Sequence, residues 1–177
     1  MSKEFSYPQF ENGVKVISRA GDAVNDMMMN ITAYRMEAGQ SLTFCHAAEE
    51  TAVLLILGEV TFQWNDRRET GQRNSFIEEG PHCLHVCRNV AVTVTAHTGS
   101  EVLVQSTEND REFAPVFYRP EDCRDDIFGL DVFDNKMKRT VRTVFDYRNA
   151  PYSNMVNGEV INHQGGWSSY TPHHHPQ

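Results

Sequence analysis

Gly39-Gln-Ser-Leu-Thr-Phe-Cys45-His-Ala47-Ala-Glu-Glu-Thr51-Ala-Val-Leu-Leu-Ile-Leu-Gly58 is the stretch on which the fold turns. Gly39 suits a tight turn into a strand, and Gly58 the turn that precedes the next one. Just downstream, Val60, Phe62 and Trp64 alternate with Thr61 and Gln63. Further out, Met29, Ile31 and Ala33 alternate with Asn30, Thr32 and Tyr34, and Val90, Val92, Val94 and Ala96 with Ala91, Thr93 and Thr95. A period of two marks strands with one buried face. Turn residues separate the runs at 37–40, 65–68, 79–81 and 97–100. Many short strands between such turns predict an all-β sandwich or barrel.

The spacing of that stretch resembles the first motif of the cupins, G-x5-H-x-H-x3-4-E-x6-G. The glycine frame is kept, while Cys45, Ala47 and Thr51 stand at the three ligand positions. The second cupin motif, G-x5-P-x-G-x2-H-x3-N, is met in part by Gly71 and His82. Ile77, Glu79 and Val86 replace its proline, glycine and asparagine. The resemblance implies a cupin fold (double-stranded β-helix, jelly-roll barrel) with a nearly complete first barrel over about residues 1–115. That barrel would have kept its shape and lost its metal. Cys45 and His82 leave a two-ligand remnant, and a tightly held divalent ion usually needs three protein ligands.

A competing cluster is Pro81-His82-Cys83-Leu84-His85-Val86-Cys87. On a strand, Cys83, His85 and Cys87 project to one face, and such ligands suit zinc. Side chains in a row along one strand splay, however, and structural zinc sites usually draw ligand pairs from two turns. The same residues describe a buried strand with small thiols and a hydrogen-bonded histidine.

Composition narrows the function classes. The 177 residues carry 16 Lys+Arg against 24 Asp+Glu, a net charge of -8. Such a chain is poorly suited to neutralising phosphates, which argues against nucleic acid and against an anionic membrane surface. The longest purely apolar run, Ala52 to Leu57, is six residues, too short to cross a bilayer as a helix. The N-terminus lacks the apolar core of a signal peptide, so a cytoplasmic protein is expected. Cys45, Cys83, Cys87 and Cys123 are then expected as free thiols. Residues 116–147 alternate acidic and basic clusters and read as a charged connector with one short helical turn. Strand-like residues return over 154–161, and 148–177 reads as the start of a further unit.

The chain ends in Gly165-Gly-Trp-Ser-Ser-Tyr-Thr-Pro-His173-His-His175-Pro-Gln177. Two histidines at i and i+2 on a strand place both imidazoles on one face, within reach of one metal, with His174 pointing away. Three histidines followed by Pro-Gln do not make an expression tag. This segment resembles the Gly-Asn-Trp-Ser-Ser-Tyr-Pro-Pro-His-x-His signature of the 5-deoxy-glucuronate isomerases, two-cupin enzymes of myo-inositol catabolism. These are similar to the uronate ketol-isomerases of pectin breakdown. The degenerate first barrel, the Arg119-Pro120 junction and Arg139-Thr-Val-Arg-Thr-Val144 fit the first half of such an enzyme.

The resemblance implies a specific chemistry. The family interconverts 5-deoxy-glucuronate and 5-keto-2-deoxy-gluconate, an aldose–ketose isomerisation. Its metal site lies in the second cupin and uses the two histidines, a glutamate shortly after them and a distant third histidine. His173 and His175 are thus the expected ligands of a divalent metal of Zn, Mn, Fe or Ni type. Ser168 and Ser169 are candidates to bind substrate hydroxyls, and Tyr170 to relay a proton. Ser168 and Ser169 would serve equally as turn caps, and Trp167 as a core residue. Arg139 and Arg142 are candidates for the substrate carboxylate, with surface ion pairing the plainer role. Family members continue past the histidine pair, so the chain is expected to be C-terminally truncated, with half a metal site and a possible homo-oligomer. A non-catalytic cupin module that binds a sugar acid or mediates oligomerisation is the alternative.

Overall fold

The structure is a computed structural model that describes residues 8–23 and 27–168. Among these residues there are twelve strands and one short 3-10 turn, and no α-helix. In chain order the strands are β1 (Val14–Ser18), β2 (Asn30–Met36), β3 (Ser41–Phe44), β4 (Glu49–Trp64), β5 (Arg67–Arg73), β6 (Cys83–Val86), β7 (Val92–Ala96), β8 (Ser100–Glu108), β9 (Val116–Tyr118), β10 (Arg124–Phe128), β11 (Arg139–Phe145) and β12 (Asn157–Asn162).

The long strand β4 organises the barrel because it belongs to two layers. Its first half pairs antiparallel with β6 and β8, and its second half with β5 and β7. One layer runs β1-β2-β8-β4-β6-β9, and β3, β7, β4 and β5 form the other. The crossing point is a register shift between Leu55 and Leu57, followed by Gly58 at φ +100. A Cβ on Gly58 would collide with the backbone of Gly99 and Ser100. Only glycine allows both that torsion and that approach.

Side-chain alternation then sets two cores. Val53, Leu55, Val60, Phe62 and Trp64 of β4 face inward, where they meet Leu84 and Val86, Val92 and Val94, and Val102 and Val104. Phe117 closes this interior, edge-on to Phe62 at 5.3 Å and stacked on Trp64 at 6.0 Å. The barrel is therefore packed with apolar side chains. The opposite face of the same strands, Ala52, Leu54 and Cys83, is covered by Val144, Phe145, Ala150 and Met155 from further along the chain. This is why Ala52–Leu55 is continuously apolar, since that part of β4 is buried on both faces.

Residues 116–147 differ from the charged connector expected. They hold β9, which adds to the barrel sheet beside β6, the short helical turn Pro120–Asp122, and the strands β10 and β11. With β12 these last two make a three-stranded antiparallel sheet, β10-β11-β12. The charges sit on strands because they pair across them. Asp125 is the register partner of Arg142, and its carboxylate takes Nε and Nη2 of Arg142 at 2.9 and 3.1 Å. The strand-like stretch 154–161 holds most of β12, which pairs with β11.

Candidate functional site

The first cupin ligand positions do not assemble a metal centre. Cys45 and Ala47 are exposed, and Ala47 offers no donor. Thr51 is buried, with its hydroxyl 2.9 Å from Nδ1 of His46. His82 packs over Gly71, where a Cβ would strike its ring, and against Phe117. Its Nδ1 is buried without a hydrogen-bond partner, and burial chiefly holds its pKa below the ordinary value. Among the described residues no group of three His, Cys, Asp or Glu side chains converges as metal ligands. This donor set does not fit a metal.

The Cys83, His85, Cys87 row is also not a zinc site. Cys83 and His85 do share a face of β6, as alternation requires, but that face is buried beneath the C-terminal segment. Burial pushes the Cys83 thiol far up, so it stays protonated. His85 already has a carboxylate partner, since its Nε2 lies 2.8 Å from Oε2 of Glu50, both side chains being fully buried. Glu50 and Ala52 point to the same side of β4, and Ala52 is the register partner of His85. Glu50 is therefore its diagonal neighbour across the two strands.

This pair sits where the later chain seals the barrel. Ser153 Oγ donates to Glu50 Oε2 at 3.0 Å, and the backbone N–H of Asn154 donates to Oε1 at 2.7 Å. Burial would raise the pKa of Glu50, but the hydrogen bonds from His85, Asn154 and Ser153 outweigh it and hold the carboxyl below its ordinary value of 4.5. The His85 ring stacks on Phe145 at 4.2 Å, nearly parallel, and Phe113 packs at 4.7 Å. A second polar fastening lies nearby. Arg73 of β5, fully buried, donates to three backbone carbonyls and to both oxygens of Glu159 on β12. Sequence reasoning missed Glu50, Arg73 and Glu159. For Glu50 and His85 the available signal was a strand with no polar face.

Of the residues singled out in the C-terminal motif, Ser168 is exposed, and Ser169, Tyr170, His173 and His175 lie outside the described residues. Trp167 is half-exposed rather than core, its ring tilted against Phe133 at 6.0 Å and its backbone N–H donating to the Lys136 carbonyl. Arg142 is not the surface residue expected. It is nearly buried, spent on Asp125 and on the Glu79 carbonyl. Arg139 lies over the Phe128 ring at 5.6 Å. At the rim of the seam, an open cavity of about 450 Å³ is lined by Ala48, Arg88, Glu108, Asn109, Asp110 and Asn154. No helix of the described residues is long and apolar enough to cross a membrane.

Comparison with known proteins agrees with this architecture. A model described as the KduI/IolB family matches residues 5–177. The chain is 24% identical over 175 residues to a 5-deoxy-glucuronate isomerase of Bacillus subtilis strain 168, covering 96% of this chain and 62% of that protein. The corresponding enzyme of Bacillus licheniformis is 23% identical over the same coverage. An IolB-like protein of Salmonella typhimurium LT2 superposes with a TM-score of 0.70 at 17% identity, over 88% of this chain and 62% of that one. The chain thus spans 62% of the length of the curated relatives it matches. The fold is the all-β cupin fold that the glycine frame implied.

Proposed function

We propose an isomerase role from one premise: the chain belongs to the KduI/IolB family. The proposed reaction is the aldose–ketose isomerisation of 5-deoxy-glucuronate to 5-keto-2-deoxy-gluconate, in inositol catabolism and in the cytoplasm. The observation that carries it is the family match over residues 5–177, together with the names of the curated relatives. In this reading 1–115 is a barrel without metal, 116–147 joins it to the rest, and 148–177 begins the second cupin.

Moving hydrogen between neighbouring carbons needs polarised oxygens and a route for a proton. A divalent metal, when bound, supplies the polarisation. His173 and His175 are the residues of this chain proposed to hold it, their i and i+2 spacing giving two imidazoles on one face. Ser168 and Ser169 are proposed to bind substrate hydroxyls, and Tyr170 to pass the proton. In the described part of the chain, Glu50, His85, Arg73 and Glu159 hold the later segment, β12 included, against the barrel.

The test is isomerisation of 5-deoxy-glucuronate alongside elemental analysis. In a protein that carries the complete family metal site, His173→Ala or His175→Ala should abolish metal retention and turnover, while His174→Ala should be tolerated far better. Robust turnover and stoichiometric metal after loss of both histidines would overturn the assignment. A second reading, a non-catalytic module that binds a sugar acid, is favoured by the apolar filling of the first barrel. Binding of the uronate without turnover in a metal-loaded preparation would select it.

A further inference from the structure

The chain holds two Asn-Gly pairs, Asn12-Gly13 and Asn157-Gly158, and the fold treats them in opposite ways. A peptide nitrogen that follows asparagine can attack the side-chain amide, and glycine, having no Cβ, hinders that attack least. Asn12 and Gly13 make a two-residue turn at the entry to β1. Glu11 and Val14 exchange both backbone hydrogen bonds across it, at 2.8 and 2.9 Å, and its central residues have φ +50 and +79. Positive φ at both is what a type I′ hairpin turn requires. Asn12 is exposed, beside an open cavity of about 480 Å³ that admits solvent. Its side-chain amide and the Gly13 N–H have no hydrogen-bond partner among the described residues. The Gly13 carbonyl is engaged, accepting the Arg35 N–H at 2.8 Å.

The second pair is locked. Asn157 is 2% exposed, and its Nδ2 donates to Gln105 Oε1. In the ladder between β11 and β12 it faces Phe145, and Gly158 faces Thr143. A Cβ on Gly158 would lie 2.5 Å from the Arg142 carbonyl oxygen, so backbone crowds that side as well. Turning the Asn157 amide toward the Gly158 nitrogen breaks a buried hydrogen bond and opens the ladder.

We propose that Asn12 is a site of spontaneous covalent modification in the folded protein, by deamidation to isoaspartate and aspartate, and that Asn157 is protected. The Gly13 nitrogen gives up its proton to solvent base and bonds to Cγ of Asn12. The Cγ–Nδ2 bond breaks, ammonia leaves, and a five-membered imide remains. Water then opens either of the two imide C–N bonds, so one water is consumed and one ammonia released, with no change of oxidation state. Isoaspartate carries the chain through its side chain and adds a methylene to a turn built for two residues. The Glu11–Val14 pair and the Arg35 N–H bond then no longer fit together. Phe10, whose ring lies 3.9 Å from the Arg35 guanidinium, loses its seat, and the edge strand β1 frays from its start. This chemistry does not rest on the isomerase reading.

The test is prolonged incubation of the intact protein in mildly alkaline buffer, folded and in urea. Tryptic peptides 4–15 and 149–177 are then read by mass spectrometry with fragmentation, and isoaspartate by enzymatic methylation. In the folded protein Asn12 should convert about tenfold or more faster than Asn157, the ratio that a small local-opening cost imposes. In urea the two pairs should react at similar rates. Hydrogen exchange at the Arg35 amide should quicken in the converted protein. Asn12→Gly, which suits the same turn, should remove the product and leave that exchange unchanged after the same incubation. The proposal falls if Asn157 keeps pace with Asn12 in the folded protein, or if the preference for Asn12 persists in urea. It also falls if Asn12 reacts only in urea, or if conversion leaves the Arg35 amide as protected as before.

Discussion

Both carboxylate oxygens of Glu159 lie 2.7 Å from the guanidinium of Arg73, whose side chain solvent does not reach. The pair joins the barrel strand β5 to β12, the last strand of the small sheet. Arg73 also caps the carbonyls of Leu55, Phe76 and Glu79, so it fixes the bend of β4 and the loop after β5 from one point. Removing the carboxylate strands a buried charge. Glu159→Ala is expected to cost about 3 kcal/mol. Arg73→Met combined with Glu159→Leu should cost less than Glu159→Ala alone. Urea unfolding of the three variants checks this, and the reverse order would show that the pair is not what fastens β12.

The Glu50 and His85 pair makes a parallel prediction. Glu50→Ala leaves the His85 ring, the Ser153 hydroxyl and the Asn154 N–H without their acceptor, at a cost of about 3 kcal/mol. Ser153→Ala removes one bond of three and should cost about 1 kcal/mol. Limited proteolysis should cut between β11 and β12 faster in Glu50→Ala, because that segment loses its anchor on the barrel.

Acid should weaken the protein in two stages. The folded-state pKa of His82 is lowered, mainly by burial, so the unfolded chain takes up a proton first as pH falls below 6.5, and stability declines from there. The folded-state pKa of Glu50 is also lowered, so its contribution is complete above 4.5 and is lost as pH falls through its folded value. Thermal melts across this range should show both stages in the intact protein. His82→Gln should flatten the upper one alone.

Gly58→Ala places a Cβ against Ser100 and the Gly99 carbonyl in a backbone conformation that L residues rarely adopt. The loss should exceed about 2 kcal/mol, combining overpacking and strain. Gly39→Ala is the control, since its φ is also positive but no atom lies near its Cβ position. It should cost about 1 kcal/mol. Equal losses would mean that the crossing of β4 between layers does not depend on that close approach.

Much of the barrel was legible because its strands keep one face dry. The alternations at 29–34, 60–64 and 90–96 fall on β2, on the second half of β4 and on β7. Of the three-stranded sheet only the stretch of β12 was legible, because β10 and β11 carry charges in place of an alternating apolar face. Arg142 bonds Asp125 across the two strands, and Arg124 bonds Asp126 on its own strand and Asp146 just after β11, so the charges that read as a solvated connector are paired within the sheet. The seam was hidden for the opposite reason. Where both faces of β4 and β6 are covered, Glu50 and His85 sit among apolar neighbours, and nothing in a period of two separates a buried hydrogen-bonded pair from core residues.

The place of β4 in the chain has a consequence for synthesis. Its hydrogen-bonded neighbours β5, β6, β7 and β8 are all encoded after it. Its first half finds its flanking strands only in β6 and β8, and β8 ends at Glu108. At ordinary translation speeds the nascent Ala52–Leu57 run therefore waits roughly three to ten seconds after leaving the ribosome before its last neighbour exists. During that interval it is an apolar strand with open edges. Yield in a cell should depend on holdase chaperones and on codon usage across β5 to β8 more than on the stability of the finished barrel.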